Sequence, residues 1–182
     1  NLWSRALEHM DTSTQSKAIL AILFLVALVA GIKVPDLDLL VAEILKPHSL
    51  ITHSILLPAL VHLVARDAAR QWIAAGLYFG IAIHLSAVVL VPVNEGGMVW
   101  TPWPAQVPLD FASQPWLAIN AVLGVFLALG LVEPVFRLAL TGFALVTALV
   151  FAYLTHGGIL PFIVFGGISA MALGLRQKFS DT

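Results

Sequence analysis

The residues best suited to chemistry in this sequence lie between positions 35 and 57. This stretch contains Pro-Asp-Leu-Asp at 35–38 and His-Ser-Leu-Ile-Thr-His-Ser at 48–54, in otherwise apolar surroundings. Carboxylate oxygens and imidazole nitrogens are the donors that hold Zn²⁺, Mn²⁺ or non-haem iron. The stretch therefore predicts a divalent metal site, and the rest of the chain must position it.

The composition restricts where such a site can lie. Hydrophobic residues make up 60% of the 182 residues, charged residues only 10%, and the mean hydropathy is +0.97. These values predict an all-α, polytopic membrane helical bundle. A net charge of −1 without a basic cluster argues against nucleic-acid binding, and the absence of cysteine excludes disulfides and thiolate ligands.

Apolar runs of nearly spanning length predict about six transmembrane helices. The runs cover residues 18–34, 50–64, 72–91, 116–132, 135–154 and 159–175. The first run could suit a signal peptide, but it lacks an evident cleavage site and further spans follow, so we expect a retained span. The predicted organisation is a cytoplasmic segment at 1–17 with a short interfacial helix, one transmembrane domain at 18–175 and a tail at 176–182.

The connections between spans carry the remaining structural signals. Residues 36–46 alternate acidic and aliphatic side chains over a length too short to cross a bilayer, which predicts an interfacial helix. Pro58 should kink the second span. The loop at 92–115 is rich in proline, glycine and tryptophan and should lie as a lid in the headgroup layer.

Charge bias in the connections predicts the orientation. With the N-terminus inside, the cytoplasmic side holds Arg5, Lys17, Arg66, Arg70, Arg137, Arg176 and Lys178. The outer side then holds only Lys33 and Lys46. The positive-inside rule therefore places both termini in the cytoplasm of a bacterial inner membrane, with the metal motif at the periplasmic face.

Two histidines fall within predicted spans. His53 lies about one turn inside the second span, and His84 lies roughly 12 Å deep in the third at 1.5 Å per residue. Intramembrane histidines usually face a wet cavity or the bundle interior and indicate function, although they can also simply hydrogen-bond the backbone. Asp36 and Asp38 could cap a helix instead, but one aspartate is enough for a cap.

These residues together resemble a known family. The two motifs, followed by His-Leu at 84–85, resemble the YdjM-like family of bacterial inner-membrane metal-dependent hydrolases, which is distantly similar to zinc-dependent phospholipase C. The resemblance covers about residues 10–104, including Trp-Pro at 103–104. It implies a zinc, manganese or iron ion bound by Asp36, Asp38, His48, His53 and His84.

The sequence departs from the family pattern at several positions. The family has Thr-His where this chain has Thr14-Gln15, and an arginine in place of Ser49. On the third span it has an aspartate in place of Val88 and a threonine in place of Val91. A helical His-x-x-x-Asp pair presents both donors on one face. Val88 thus removes a ligand or orienting partner, a change worth about 10- to 100-fold in metal affinity or activity.

Two classes of function follow from this pattern. In the first, water activated by the metal attacks an ester or phosphoester of a lipid or envelope component, with Asp38 or Glu95 as general base. In the second, the chain is a non-catalytic subunit of a larger complex and packs against other membrane proteins through spans four to six. Axial ligation of haem or chlorophyll is a weaker explanation, because it leaves the paired aspartates without a role.

Overall fold

The computed structural model describes residues 12–180, which form six α-helices. They are α1 (Thr12–Lys33), α2 (Leu56–Leu63), α3 (Ala68–Val88), α4 (Ser113–Leu131), α5 (Pro134–His156) and α6 (Leu160–Ser180). Short 3₁₀ helices occur at Pro35–Val41, Val93–Glu95 and Asp110–Ala112. No strand occurs in this part of the chain, so the predicted all-α bundle is confirmed. The interfacial helix expected near the N-terminus, with Leu2, Trp3, Leu7 and Met10, lies outside the described residues.

Five of these helices, all except α2, are long and apolar enough to cross a membrane. They correspond to the first, third, fourth, fifth and sixth predicted spans. At 1.5 Å per residue, about 20 apolar residues match the hydrocarbon core of a bilayer. The length and composition of the helices therefore define a helical membrane protein.

The second predicted span, residues 50–64, is not a continuous helix. Residues 50–55 form turns and bends, in which Ser54 Oγ donates to the Ile51 carbonyl over 2.8 Å and accepts from the Leu56 amide at 3.2 Å. The following helix, α2, has only 8 residues. Pro58 lies in its first turn, where the missing N–H costs no helical hydrogen bond. Five helices of spanning length thus replace the six predicted.

The chain nevertheless runs along the bundle six times. α1 and α3 pack side by side in the same direction, because Gly76 of α3 contacts Phe24 and Gly80 contacts Leu28, while His84 reaches Ile32. The connection between them must therefore return the full length of the bundle. The broken segment that contains α2 makes this return and packs against α3.

The later helices alternate in direction. α5 runs with α3, since Phe136 contacts Trp72 near the start of both helices and Phe151 contacts His84 near the end of both. α4 and α6 run the opposite way. Residues 12 and 180 consequently lie at one end of the bundle, called here the terminal end. The other end, where α1 and α3 finish, is called the site end.

Backbone contact between α1 and α3 fixes the geometry at the site end. A Cβ on Gly31 would lie 2.6 Å from the Leu77 carbonyl oxygen, and one on Gly80 would lie 2.7 Å from the Cα of Gly31. The two helices therefore touch without intervening side chains, as small residues allow in membrane bundles. This approach brings the last turn of α1 against the last turn of α3.

Candidate functional site

Three histidine rings pack together at the site end. The ring centroids of His48 and His53 lie 4.7 Å apart with an interplanar angle of 80°, and those of His53 and His84 lie 5.3 Å apart at 71°. His53 is 1% exposed and His84 is 7% exposed. The rings come from the turn after the first 3₁₀ helix, from the segment before α2 and from α3. The fold therefore brings distant segments of the sequence into one cluster.

Asp38 lies behind His53 and holds it in place. Its Oδ2 accepts hydrogen bonds from the Ser49 amide at 2.9 Å and the Thr52 hydroxyl at 2.8 Å, and lies 3.3 Å from His53 Nδ1. Burial by itself raises the pKa of Asp38, but the hydrogen bonds from His53, Ser49 and Thr52 outweigh it, so the pKa lies below its usual range. An ionised carboxylate only accepts, so Nδ1 carries a proton, and in the neutral imidazole Nε2 then keeps its lone pair.

His84 is oriented in the same way by the backbone of α1. Its Nδ1 lies 3.0 Å from the Ile32 carbonyl oxygen, which can only accept, so the proton again sits on Nδ1. The other ring nitrogen, Nε2, lies 4.0 Å from Asp36 Oδ1. That separation is too long for a hydrogen bond. The unprotonated nitrogen of His84 and a carboxylate oxygen of Asp36 therefore lie near each other without bonding.

His48 is presented by an unusual backbone conformation. Its φ is +59°, in the left-handed region that few residues other than glycine adopt. The carbonyl of His48 accepts from the Trp100 amide at 3.1 Å, and the Leu50 amide donates to the Trp100 carbonyl at 2.8 Å. Burial and the neighbouring His53 lower the pKa of His48 below its usual value. The imidazole is therefore neutral near pH 7, the form that binds metals.

The two remaining predicted acids differ in position. Asp36 is half-exposed, and its Oδ2 lies 3.6 Å from the Nζ of Lys33. Glu95 is exposed on the 3₁₀ helix Val93–Glu95 and does not line the cavity beside the histidines. The fold thus gathers Asp36 and Asp38 around the imidazoles, whereas Glu95 does not line the cavity beside them.

A cavity of about 250 Å³ opens beside the cluster. Its lining combines polar and apolar side chains. Its lining residues are Lys33, Asp36, His48, His84, Val88, Val91, Phe151 and Thr155. Such a cavity can accept a molecule that has a polar group at one end and hydrocarbon at the other.

The loop at 92–115, predicted to be a lid, is hydrogen-bonded to the segment that carries His48. Besides its bonds to His48 and Leu50, it packs the fully buried Val99 against the bundle, where the Val99 amide donates to Ser113 Oγ at 3.0 Å. Trp116 on α4 donates from Nε1 to the His53 carbonyl at 3.1 Å, and Asn120 accepts from the Ile55 amide at 3.1 Å. The loop and α4 therefore fix both sides of the segment that carries His48 and His53.

The donor set can be compared with the needs of a metal ion. Within residues 12–180, no group of three or more histidine, aspartate or glutamate side chains is arranged to hold a metal as it stands. The donor types nevertheless fit a metal ion. One of the donors, His53 Nε2, is buried and has no hydrogen-bond partner. A buried acceptor left in this state costs about 1–3 kcal/mol. A cation bound at this nitrogen would remove that cost.

Sequence reasoning missed several residues that complete the site. Lys33 and Phe151 line the cavity, the Ile32 carbonyl orients His84, and Trp116 and Asn120 brace the histidine segment. Asn120 could have been identified from the sequence, because an amide inside an apolar span must find a partner. The others carried none, since an exposed lysine, a phenylalanine and a backbone carbonyl are ordinary in a membrane helix.

The fold and the cluster define a helical membrane protein with a buried histidine and aspartate centre at one end. Comparison with known proteins returns no match, since no family model, curated protein or solved structure matches this chain. The resemblance to the YdjM-like family therefore stays a prediction.

Proposed function

We propose that this protein is a metal-dependent hydrolase that cleaves an ester or phosphoester bond in a membrane lipid. The observation that carries the proposal is the buried Nε2 of His53, which has no hydrogen-bond partner while Asp38 holds the opposite nitrogen. Histidines that bind a metal commonly donate their other N–H to a carboxylate or a backbone carbonyl. Asp38 and the Ile32 carbonyl supply these acceptors for His53 and His84.

In this proposal the imidazoles of His48, His53 and His84 hold a divalent ion, with Zn²⁺ the best match to three nitrogen donors. A bound divalent ion supplies Lewis-acid chemistry, which activates water and polarises the ester oxygen. Asp36 lines the cavity and is half-exposed, so its carboxylate can accept the proton that water loses. Asp38 is buried and already accepts several hydrogen bonds, so it acts as a positioning residue for His53.

The surroundings of the cavity favour a lipid as the substrate. α1 and α5 both pack on α3 but not closely on each other over their described lengths, so the cavity lies in the gap between them. Val88, Val91 and Phe151 give its wall a hydrocarbon surface. A lipid can slide sideways from the bilayer into this gap, and Lys33 at the rim can contact an anionic group on it.

We further propose that the site end faces the periplasm of a bacterial inner membrane. Lys17, Arg66, Arg70, Arg137, Arg176 and Lys178 belong to the terminal end, whereas Lys33 and Lys46 belong to the site end. A reporter fused after Thr182 should be active only in the cytoplasm, and one placed between residues 94 and 114 only outside it. The reverse pattern at both positions would put the site on the cytoplasmic face and contradict this orientation.

The hydrolase proposal is tested by metal content and activity measured on the same sample. The purified protein should retain about one zinc per chain after dialysis and hydrolyse a lipid ester or phosphodiester in vesicles. A chelator should remove both zinc and activity, and added Zn²⁺ should restore them. Zinc binding without hydrolysis of either bond type would refute the proposed enzymatic activity. A protein that retains no metal would instead favour the alternative function as a non-catalytic subunit of a larger complex.

A further inference from the structure

Two arginines lie at the terminal end, far from the histidine cluster. Arg137 is in the first turn of α5, and Arg176 is near the end of α6. α5 and α6 are packed neighbours that run in opposite directions, so both arginines lie at about the same level of the bundle. Positive charges on neighbouring helices of a membrane bundle are costly without a negative partner.

Arg176 is held in a fixed position by α4. Its Nε and Nη2 donate to the Phe126 carbonyl at 3.2 and 2.9 Å, and its guanidinium carbon lies 3.9 Å from the centre of the Phe126 ring. The guanidinium also covers Gly130 so closely that a Cβ there would collide with Nη2. Its outer nitrogen, Nη1, makes no hydrogen bond within the described residues, so it stays free to donate.

Arg137 has no partner for its guanidinium in the part of the chain that the structure describes. Its Nε is buried and makes no hydrogen bond. The ion pairs of residues 12–180 engage Lys33, Arg70, His53 and His84, and no carboxylate of these residues lies within 4 Å of Arg137 or Arg176. A buried N–H on a charged group that lacks an acceptor is strongly unfavourable, which points to an external anion.

We propose that Arg137 and Arg176 form a binding site for the phosphate of an anionic phospholipid. The planar guanidinium matches the oxygens of a phosphate with two parallel hydrogen bonds. Arg137 is three residues into α5, about 4.5 Å along the helix axis, which is the depth of lipid headgroups. The neighbouring side chains Val135 and Leu138 are 75% and 76% exposed and suit contact with acyl chains. This site is independent of the proposed hydrolase centre.

The test compares spin-labelled phosphatidylglycerol with spin-labelled phosphatidylcholine bound to the full chain in phosphatidylcholine vesicles. The parent protein should immobilise phosphatidylglycerol preferentially. Arg137→Gln should lower its relative association constant about tenfold, because the charge-assisted hydrogen bonds are lost. Arg137→Lys keeps the charge but lacks the planar pair of donors that matches a phosphate, so it should recover only part of the preference.

Arg70→Gln is the matched control, because Arg70 is also near the terminal end but is already paired with Asp67 at 3.3 Å. It should leave the lipid preference unchanged. The proposal is overturned if Arg137→Gln keeps the preference while the protein stays folded, or if Arg70→Gln reduces it equally. It is also overturned if inorganic phosphate displaces the labelled lipid at equal concentration, since a soluble anion would then be the ligand. It is likewise overturned if the preference appears only after Asp181→Asn, since the chain's own acid would then occupy the site.

Discussion

Replacing His53 with alanine should abolish stoichiometric zinc binding and leave the helical fold in place. His53 is the central ring of the cluster, in contact with both His48 and His84, and its Nε2 is the buried nitrogen without a partner. Loss of a partner outside the ligand set already lowers metal affinity about 10- to 100-fold. Loss of a ligand should therefore weaken zinc binding by more than about 100-fold. Metal content after dialysis and titration against a chromophoric chelator measure the effect.

Two further variants separate metal binding from folding. Asp38→Asn keeps the His53 ring but removes the carboxylate behind it, so affinity should fall by about 10- to 100-fold. His62→Ala is the control, because His62 follows in the same segment but faces Tyr78, with Nδ1 3.3 Å from the phenol oxygen. It should leave zinc content unchanged. Full zinc content in His53→Ala, or equal losses in His62→Ala, would rule out the imidazole cluster as the metal site.

Replacing Val88 with aspartate should tighten zinc binding by about 10- to 100-fold. Val88 is one helical turn beyond His84, and it lines the same cavity as Asp36 and His48. A carboxylate at this position would face the imidazoles and supply the donor that the family pattern has there. Val88 is only 6% exposed and belongs to the buried apolar cluster that also contains Leu85 and Leu117. Without a cation, the variant should therefore lose a few kcal/mol of stability.

The test is a pair of thermal melts for each variant, one with excess Zn²⁺ and one with a chelator. Val88→Asp should melt well below the parent with chelator present and recover most of the difference with zinc, because ligand binding stabilises the folded state. Val88→Asn has nearly the same shape without the charge, so it should be destabilised in both conditions. Destabilisation of Val88→Asp that zinc does not reverse would place position 88 in dry packing and count against a metal centre.

Most of the fold could be predicted from the sequence, because hydropathy is a local property. Five of the predicted spans match α1, α3, α4, α5 and α6 within a few residues. The prediction of the second span was wrong. The segment is apolar, as predicted, but its backbone forms turns before α2 instead of one continuous helix. Thr52 and Ser54 bond to nearby backbone groups and turn the chain, and α2 begins only after them. Apolar length indicates membrane burial, but these short-range hydrogen bonds decide the conformation.

The candidate site could be predicted in residue type but not in role. Composition and residue types were enough to predict a membrane bundle and a set of imidazoles and carboxylates suited to a divalent ion. The packing of the helices determines that Asp38 orients His53 whereas Asp36 faces the cavity with Lys33. It also decided that Ile32, 52 residues away, orients His84, and that Trp116, 63 residues away, braces His53. These contacts depend on the close packing of α1 on α3 and of α4 on the histidine segment, and no local pattern of side chains encodes which helices will meet.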